Sequence, residues 1–397
     1  MTVDTLRKDA LGCYGGGKLT PFIDSIQKNC IRFTQAYSSG PYTRAAFPGI
    51  LTSSYYLEFG LQKMLPRRRT LISEVLKSAG ITTAGFHSNP HLSGYFGWNR
   101  GWEVFYDSME EEVTDQIPYI EAQRINQKVA AWLSSQVGKG DDKPFFLWVH
   151  YMDIHEPYIP PRKYAEFVDP SLLLNEDEMF RLFKEVLLKR DVSHKETVAL
   201  LKKLYQAHVR QIDEEVKNFF EILDTRRVLQ ETVVILTSDH GDEFGEHGGL
   251  SHDGKMYEEL VHVPLLIFDP ERNIGQVSDP LVSTLDIAPT VVSLFGLPSI
   301  ETFSGKSILP LKPDSSRGIF GEALDKLGSN EQGAEKEVHF YRQENYKIIY
   351  REKDNSWELY DLSADPGETV KLNSTSAMAE EMKEKIRPRV RRYEKKM

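Results

Sequence analysis

Short apolar runs bounded by turn residues alternate along the chain with stretches whose apolar positions recur at helical spacing, the pattern of an α/β sheet covered on both faces. `TPFIDSIQKN` predicts a helix with Thr20 as N-cap and Pro21 at its first position. `TLISEVLKSAG` predicts another, capped by Thr70 and stopped by Gly80, before the strand `ITTAGFHS`. A helix through `QRINQKVAAWLSSQV` leads into `PFFLWVHYM`, a continuous apolar run with the look of a central strand. A long segment from about Glu185 to Leu223 is amphipathic and acidic towards its end, followed by the buried strand of `TVVILTSDHGDEFGEHGG`, which breaks into a glycine-rich loop. `VPLLIF` is a further strand, and `STLDIAPTVVSLFGLP` a helix ended by Gly296 and Pro298.

Past residue 310 the pattern changes. `EVHFYRQENYKIIYREKDNSWELYDLSAD` alternates apolar and polar positions, as antiparallel strands with one wet face do, and `GAEKE` before it reads as a loop. The basic end, `AEEMKEKIRPRVRRYEKK`, predicts a helix packing one face. The expected organisation is an α/β domain over 1–310, its mostly parallel sheet carrying helices on both faces. A small C-terminal subdomain over 311–397, an antiparallel sheet with a helix, should dock beside the active-site end.

Composition narrows the picture modestly. The 397 residues are 40% hydrophobic and 27% charged, with no apolar run of membrane-spanning length. A net charge of −10 argues against a nucleic-acid partner. Two cysteines, Cys13 and Cys30, make no disulfide framework. No leader pattern precedes the first strand, whose `VD` ending at residue 4 leaves it short or clipped, so the cytoplasm is the expected location.

Chemistry in such a sheet collects beyond the carboxyl ends of its strands. Asp4 ends the first strand, and Asp239 and His240 end `VVILTS` just before Gly241, which lets the backbone turn away. Alone, `DHG` could be a turn cap beside a surface histidine; with Asp4 at an equivalent strand end it predicts a divalent-metal site. `HYMDIHEPYIPP` puts His150 in a strand and His155 in a proline-rich turn, where an imidazole can face a pocket or solvent. The loop `GEHGGLSHDGKMYEELVHVP` carries His247, His252, Lys255 and His262, of which His262 reads as structural. `RRR` at Arg67–Arg69 reads as a solvated face.

Seven motifs then occur in an order that resembles the sulfatase family of the alkaline phosphatase superfamily: `VDTLRKDALGCYG`, `PYTRAAFPGILT`, `HYMDIHEPY`, `TSDHGDEFGEHG`, `YEELVHVPLLIF`, `DIAPTVVSLFGLP` and `WELYDLSADPGE`. The resemblance implies that Asp4, Asp239 and His240 hold one divalent ion (Ca, Mg or Mn). A second acid usual beside the first aspartate is Thr5 here. It further implies that His155 contacts the oxygens of a small sulfate or phosphate ester, that His252 or Lys255 adds positive charge, and that Asn89 lines the pocket. The family's formylglycine precursor stands nine residues before the threonine of an `LT` pair, and nine back from Thr52 is Thr43. The family's following proline, serine and arginine become Ala45, Ala46 and Phe47. Threonine cannot become formylglycine, so none is expected.

Thr43 remains usable as a nucleophile and further metal ligand, since a hydroxyl on a cation is acidified much as metal-bound water is, from about 15.7 to about 7 on zinc. Arg44 beside it is a candidate substrate contact. The expected function is metal-dependent hydrolysis of a sulfate or phosphate ester through Thr43. The alternatives are transfer of a phosphoryl-containing group to an alcohol and an inactive binding homologue, which a panel of p-nitrophenyl esters with added metals separates. Thr43 should begin a helix bracketed by Pro41 and Pro48.

Overall fold

Strand β1 is only two residues long, Thr2–Val3, yet it lies in the middle of the main sheet, paired with His150–Tyr151 on one side and Thr237–Ser238 on the other. The computed structural model describes residues 1–59, 64–136, 143–272, 275–311, 314, 316–325 and 336–394. The remaining strands of the sheet are β2 (Cys30–Phe33), β3 (Thr82–His87), β4 (Val104–Tyr106), β5 (Phe145–Tyr151), β6 (Val234–Ser238), β7 (Leu265–Phe268) and β8 (Gln276–Ser278). Their order is β8-β2-β7-β6-β1-β5-β3-β4, and only β7 runs antiparallel to its neighbours.

Six helices matter for covering this sheet: α1 (Pro21–Ile26), α2 (Thr43–Thr52), α3 (Ile72–Ser78), α4 (Ala122–Gln136), α5 (Lys195–Thr225) and α6 (Ile287–Leu294). The apolar run of β5 shows why helices are needed on both sides. Leu147, Val149 and Tyr151 join one core with α1, α4 and α5, while Phe146 and Trp148 join another with α2, α3 and α6. The mostly parallel α/β architecture read from the sequence is the one observed.

A second sheet follows, of strands β9 (Gly318–Asp325), β10 (Lys336–Gln343), β11 (Tyr346–Arg351) and β12 (Ser356–Asp361), antiparallel in that order, with helix α7 (Ala377–Glu394). Val338, Phe340 and Ile349 pack towards Tyr37, Tyr42 and Tyr257 of the main body. Tyr341, Ile348 and Leu359 on the other face pack under Ala379, Met382 and Ile386 of α7. The wet face expected for these strands is therefore covered by a helix. Glu322 N–H donates to Ser39 O at 2.9 Å and Leu324 N–H to Tyr42 Oη at 3.0 Å, so β9 lies against the segment leading into Thr43.

Several local expectations give way to long-range contacts. Thr20 does not cap α1 through its side chain; Asp213 of α5 accepts the Phe22 and Ile23 amides at 3.0 and 2.8 Å. Leu71, not Thr70, precedes α3, and Glu74 closes that end by accepting Leu71 N–H at 2.9 Å. The long helix starts at Lys195, after a separate helix at Glu176–Leu182. Arg69 is buried rather than solvated, its guanidinium donating to Ser54 Oγ and to Tyr56 O. Of the expected loop `GAEKE`, residues 333–335 lie outside the described residues and Lys336 and Glu337 begin β10.

Candidate functional site

The carboxyl ends of β1 and β6 lie side by side, which brings Asp4 to Asp239 and His240. All three side chains are fully buried. His240 Nε2 stands 3.6 Å from Asp4 Oδ1, 3.4 Å from Asp239 Oδ2 and 3.4 Å from Thr43 Oγ1. Donor atoms bound to one divalent ion at about 2.0–2.6 Å are spaced about 3–3.6 Å from each other, so this is the spacing of a ligand set. Asp4 Oδ1 and Asp239 Oδ2 have no hydrogen-bond partner among the described residues. Two buried carboxylates with free oxygens facing one imidazole make a candidate cation site.

The electrostatics agree. Burial, then the charge of Asp4, pushes the Asp239 carboxyl well above its ordinary range. Burial also opposes ionisation of Asp4, but its contact with His150 and the charges of His155 and His240 outweigh that and hold it below the usual carboxylate range. His240 is brought down to about 3 by burial and by His252, which leaves it neutral, the form that ligates a metal. Its Nδ1–H donates to Gly241 O at 3.0 Å and so turns Nε2 to the carboxylates. Gly241 is needed because a Cβ there would collide with the Glu259 carbonyl.

Thr43 is the first residue of α2, so the amide-bearing end of that helix faces the cluster. Pro48 lies inside α2 rather than bracketing it. Asn89 N-caps a short turn after β3 and donates Nδ2–H to Asp4 Oδ2 at 2.7 Å and to Thr43 Oγ1 at 3.3 Å. Thr5 occupies a left-handed backbone position, φ 55°, rare for a β-branched residue, with its amide 3.3 Å from Asp239 Oδ1.

His155 and His252 form the outer edge. Their ring centroids are 5.1 Å apart, and His252 lies 4.5 Å from His240. Burial lowers the pKa of His155, but the charges of Asp4, Glu156 and Asp242 raise it further, so the net shift is upward. His252 goes the other way, to about 3, through burial and the charge of His155. Two expected members are placed elsewhere. Arg44 is exposed on the surface of α2. Lys255 donates to Glu243 Oε2 at 2.8 Å and His247 O at 3.0 Å, inside the hairpin of Glu243–Phe244 and Leu250–Ser251.

Three contacts went unread in the sequence. His150 Nε2 lies 3.3 Å from Asp4 Oδ2. Asp242 accepts His252 Nδ1–H at 2.8 Å and Tyr158 Oη–H at 2.6 Å. Asp242 was visible two residues after His240, and Tyr158 three after His155, but neither spacing predicts the pairing.

The fold is an α/β sheet with a candidate metal cluster at the carboxyl ends of its strands, and comparison with known proteins gives the family. The description "Sulfatase" matches residues 1–297, and "N-sulphoglucosamine sulphohydrolase, C-terminal" matches 245–396. The chain belongs to the sulfatase family, enzymes that hydrolyse sulfuric esters. It is 27% identical to the uncharacterized sulfatase YidJ of Escherichia coli K12, over 93% of this chain and 81% of that one. It is 24% identical to an N-acetylglucosamine-6-O-sulfatase of Bacteroides thetaiotaomicron, over 97% and 84%. A protein solved in complex with its substrate D-glucosamine-2-N,6-O-disulfate superposes with a TM-score of 0.81 at 19% identity, covering 100% of this chain and 97% of that one. The phosphonate monoester hydrolase of Agrobacterium radiobacter does so with 0.74 at 17%, covering 99% and 95%. At such identities these two likenesses speak for the fold. No described helix is long and apolar enough to cross a membrane.

Proposed function

We infer that this protein hydrolyses sulfate esters of small alcohols with Thr43 as the nucleophile and with Asp4, Asp239 and His240 holding one divalent cation. The observation that carries this reading is the gathering of Asp4 Oδ1, Asp239 Oδ2 and Thr43 Oγ1 within 3.4–3.6 Å of His240 Nε2, two of those oxygens lacking any hydrogen bond among the described residues. The oxygen-rich set suits Ca, Mg or Mn. An ion bound there supplies positive charge that acidifies the hydroxyl and stabilises the ester oxygens as they gain negative charge.

The chain's own groups supply the rest. Asn89 Nδ2–H holds Thr43 Oγ1 beside Asp4, which limits the hydroxyl to one orientation. Thr43 Oγ1 gives up its proton to solvent and bonds to sulfur, the bond from sulfur to the alcohol oxygen breaks, and the alcohol oxygen leaves with its electron pair. His155 suits the leaving group. Glu156 O engages its Nδ1 at 2.8 Å, and its raised pKa keeps Nε2–H available to protonate the departing oxygen. His252 beside it is neutral, so it is not the group that protonates the leaving oxygen.

A plain threonine also serves attack on phosphorus, which favours phosphate or phosphonate esters, or transfer to an alcohol, as the second reading. The test is a panel of p-nitrophenyl sulfate, phosphate, phosphodiester and phosphonate, assayed with Mn, Mg or Ca and after chelation. Hydrolysis of the sulfate that disappears with chelator and returns with one of these ions supports the reading. A flat response across esters and ions contradicts it.

A further inference from the structure

Three side chains outside the ligand set form one hydrogen-bonded line into the site. Tyr158 Oη–H donates to Asp242 Oδ2 at 2.6 Å, and His252 Nδ1–H donates to Asp242 Oδ1 at 2.8 Å. Tyr158 and Asp242 are both buried, and Tyr158 is wedged between Tyr205 and Phe244, with ring centroids at 5.9 and 5.7 Å. Asp242 therefore has each oxygen taken by a donor that cannot easily move. An imidazole whose Nδ1 carries the shared proton presents Nε2 as a lone pair. The His252 ring lies 4.5 Å from that of His240, whose Nε2 is 3.4 Å from Thr43 Oγ1.

His240, Asp242 and His252 also gather closely enough to suggest a second metal site. His240 Nε2 already faces Asp4 and Asp239, and both Asp242 oxygens are satisfied, so the arrangement is better explained as a means of orienting His252.

We propose that Asp242 and Tyr158 are positioning residues for His252, and that His252 so held serves the second half of the reaction, the release of the sulfuryl group from Thr43. The proposal rests on Thr43 being the nucleophile. A threonine ester has no carbonyl-type route to expel sulfate, so water must attack it. In that step a water proton passes to His252 Nε2 and the water oxygen bonds to sulfur. The bond from sulfur to Thr43 Oγ1 breaks with its electron pair on Oγ1, which takes up a proton from solvent while His252 returns its own. The products are the free Thr43 hydroxyl and hydrogen sulfate. Breaking the line from Tyr158 to His252 leaves formation of the threonine ester intact and slows its breakdown.

The test compares wild type, Asp242→Asn and Tyr158→Phe as full-length, metal-loaded proteins acting on p-nitrophenyl sulfate. Melting temperature and bound-metal content are recorded for each. Tyr158→Phe removes a single hydroxyl and guards against a misfolded Asp242→Asn. The expected result is a retained burst of about one nitrophenol per chain, steady turnover lowered about 100-fold, and accumulation of protein heavier by one sulfuryl group on Thr43. Turnover unchanged in Tyr158→Phe, or burst and turnover lost together without the adduct, overturns the proposal. Failure of the underlying reading looks different: Thr43→Ala would keep its turnover, or wild type would hydrolyse no ester of the panel.

Discussion

Phe47 meets His150 edge to face, with ring centroids 5.0 Å apart, and His150 turns Nε2 towards Asp4 Oδ2 at 3.3 Å. Thr2 Oγ1 holds the other ring nitrogen, Nδ1, at 2.9 Å, and Trp148 Nε1–H donates to that same hydroxyl at 3.1 Å. An apolar ring on α2 and a short polar line in β1 and β5 thus set how one carboxylate is presented.

Because Asp4 is oriented through His150, His150→Ala should weaken divalent-cation binding about 10- to 100-fold while the fold survives. Chelator competition on the purified variant measures this directly. Affinity equal to wild type would mean that Asn89 alone orients Asp4.

Lys255 should matter more for stability than for chemistry. It is the cation beside buried Glu243, which also accepts the His247 and Gly249 amides at 2.7 Å each. Lys255→Met leaves a buried carboxylate without its counter-charge and should cost about 3–5 kcal/mol in denaturant unfolding. Adding Glu243→Gln should recover much of that loss, whereas full stability with turnover abolished would return Lys255 to the reaction itself.

These two cases show where the sequence was readable. Asp4, Asp239 and His240 each end a strand whose boundary is written locally, in apolar runs and turn residues, so their convergence followed once the sheet was recognised, whereas Thr43 came from its spacing to Thr52 under the resemblance. Asn89 was legible only through the resemblance to the family. The partners of those residues were not, because they depend on lateral neighbours in the sheet. β5 brings His150 to Asp4, and the turn after it brings Tyr158 to Asp242, across 146 and 84 residues of sequence respectively. Charge was misread where burial reversed its usual meaning, as at Arg69, and Arg44, next to Thr43 in sequence, is turned to solvent by α2.

Asp153 gives a prediction for pH. Burial, despite two contacts with the Ala122 amide at the start of α4, raises its pKa from 3.8 to about 8. A carboxyl with a raised folded pKa holds more protons folded than unfolded between those values, so stability falls as pH rises from about 4 to about 8. Asp153→Asn keeps an acceptor for the amide without the charge. Its stability relative to wild type should therefore grow across that window, by an amount on the order of several kcal/mol at its upper end. Denaturant midpoints at pH 4, 6 and 8 measure it, and parallel curves for the two proteins would contradict it.

The role of Thr43 is tested most directly by Thr43→Ala, assayed on p-nitrophenyl sulfate with its melting temperature and bound-metal content measured on the same sample. The account predicts turnover lowered at least about 1,000-fold, with metal content and melting temperature close to wild type, and partial activity in Thr43→Ser. Turnover preserved in Thr43→Ala, with a melting point lowered by the loss of about 1 kcal/mol, would make Thr43 a helix-end residue and contradict the account.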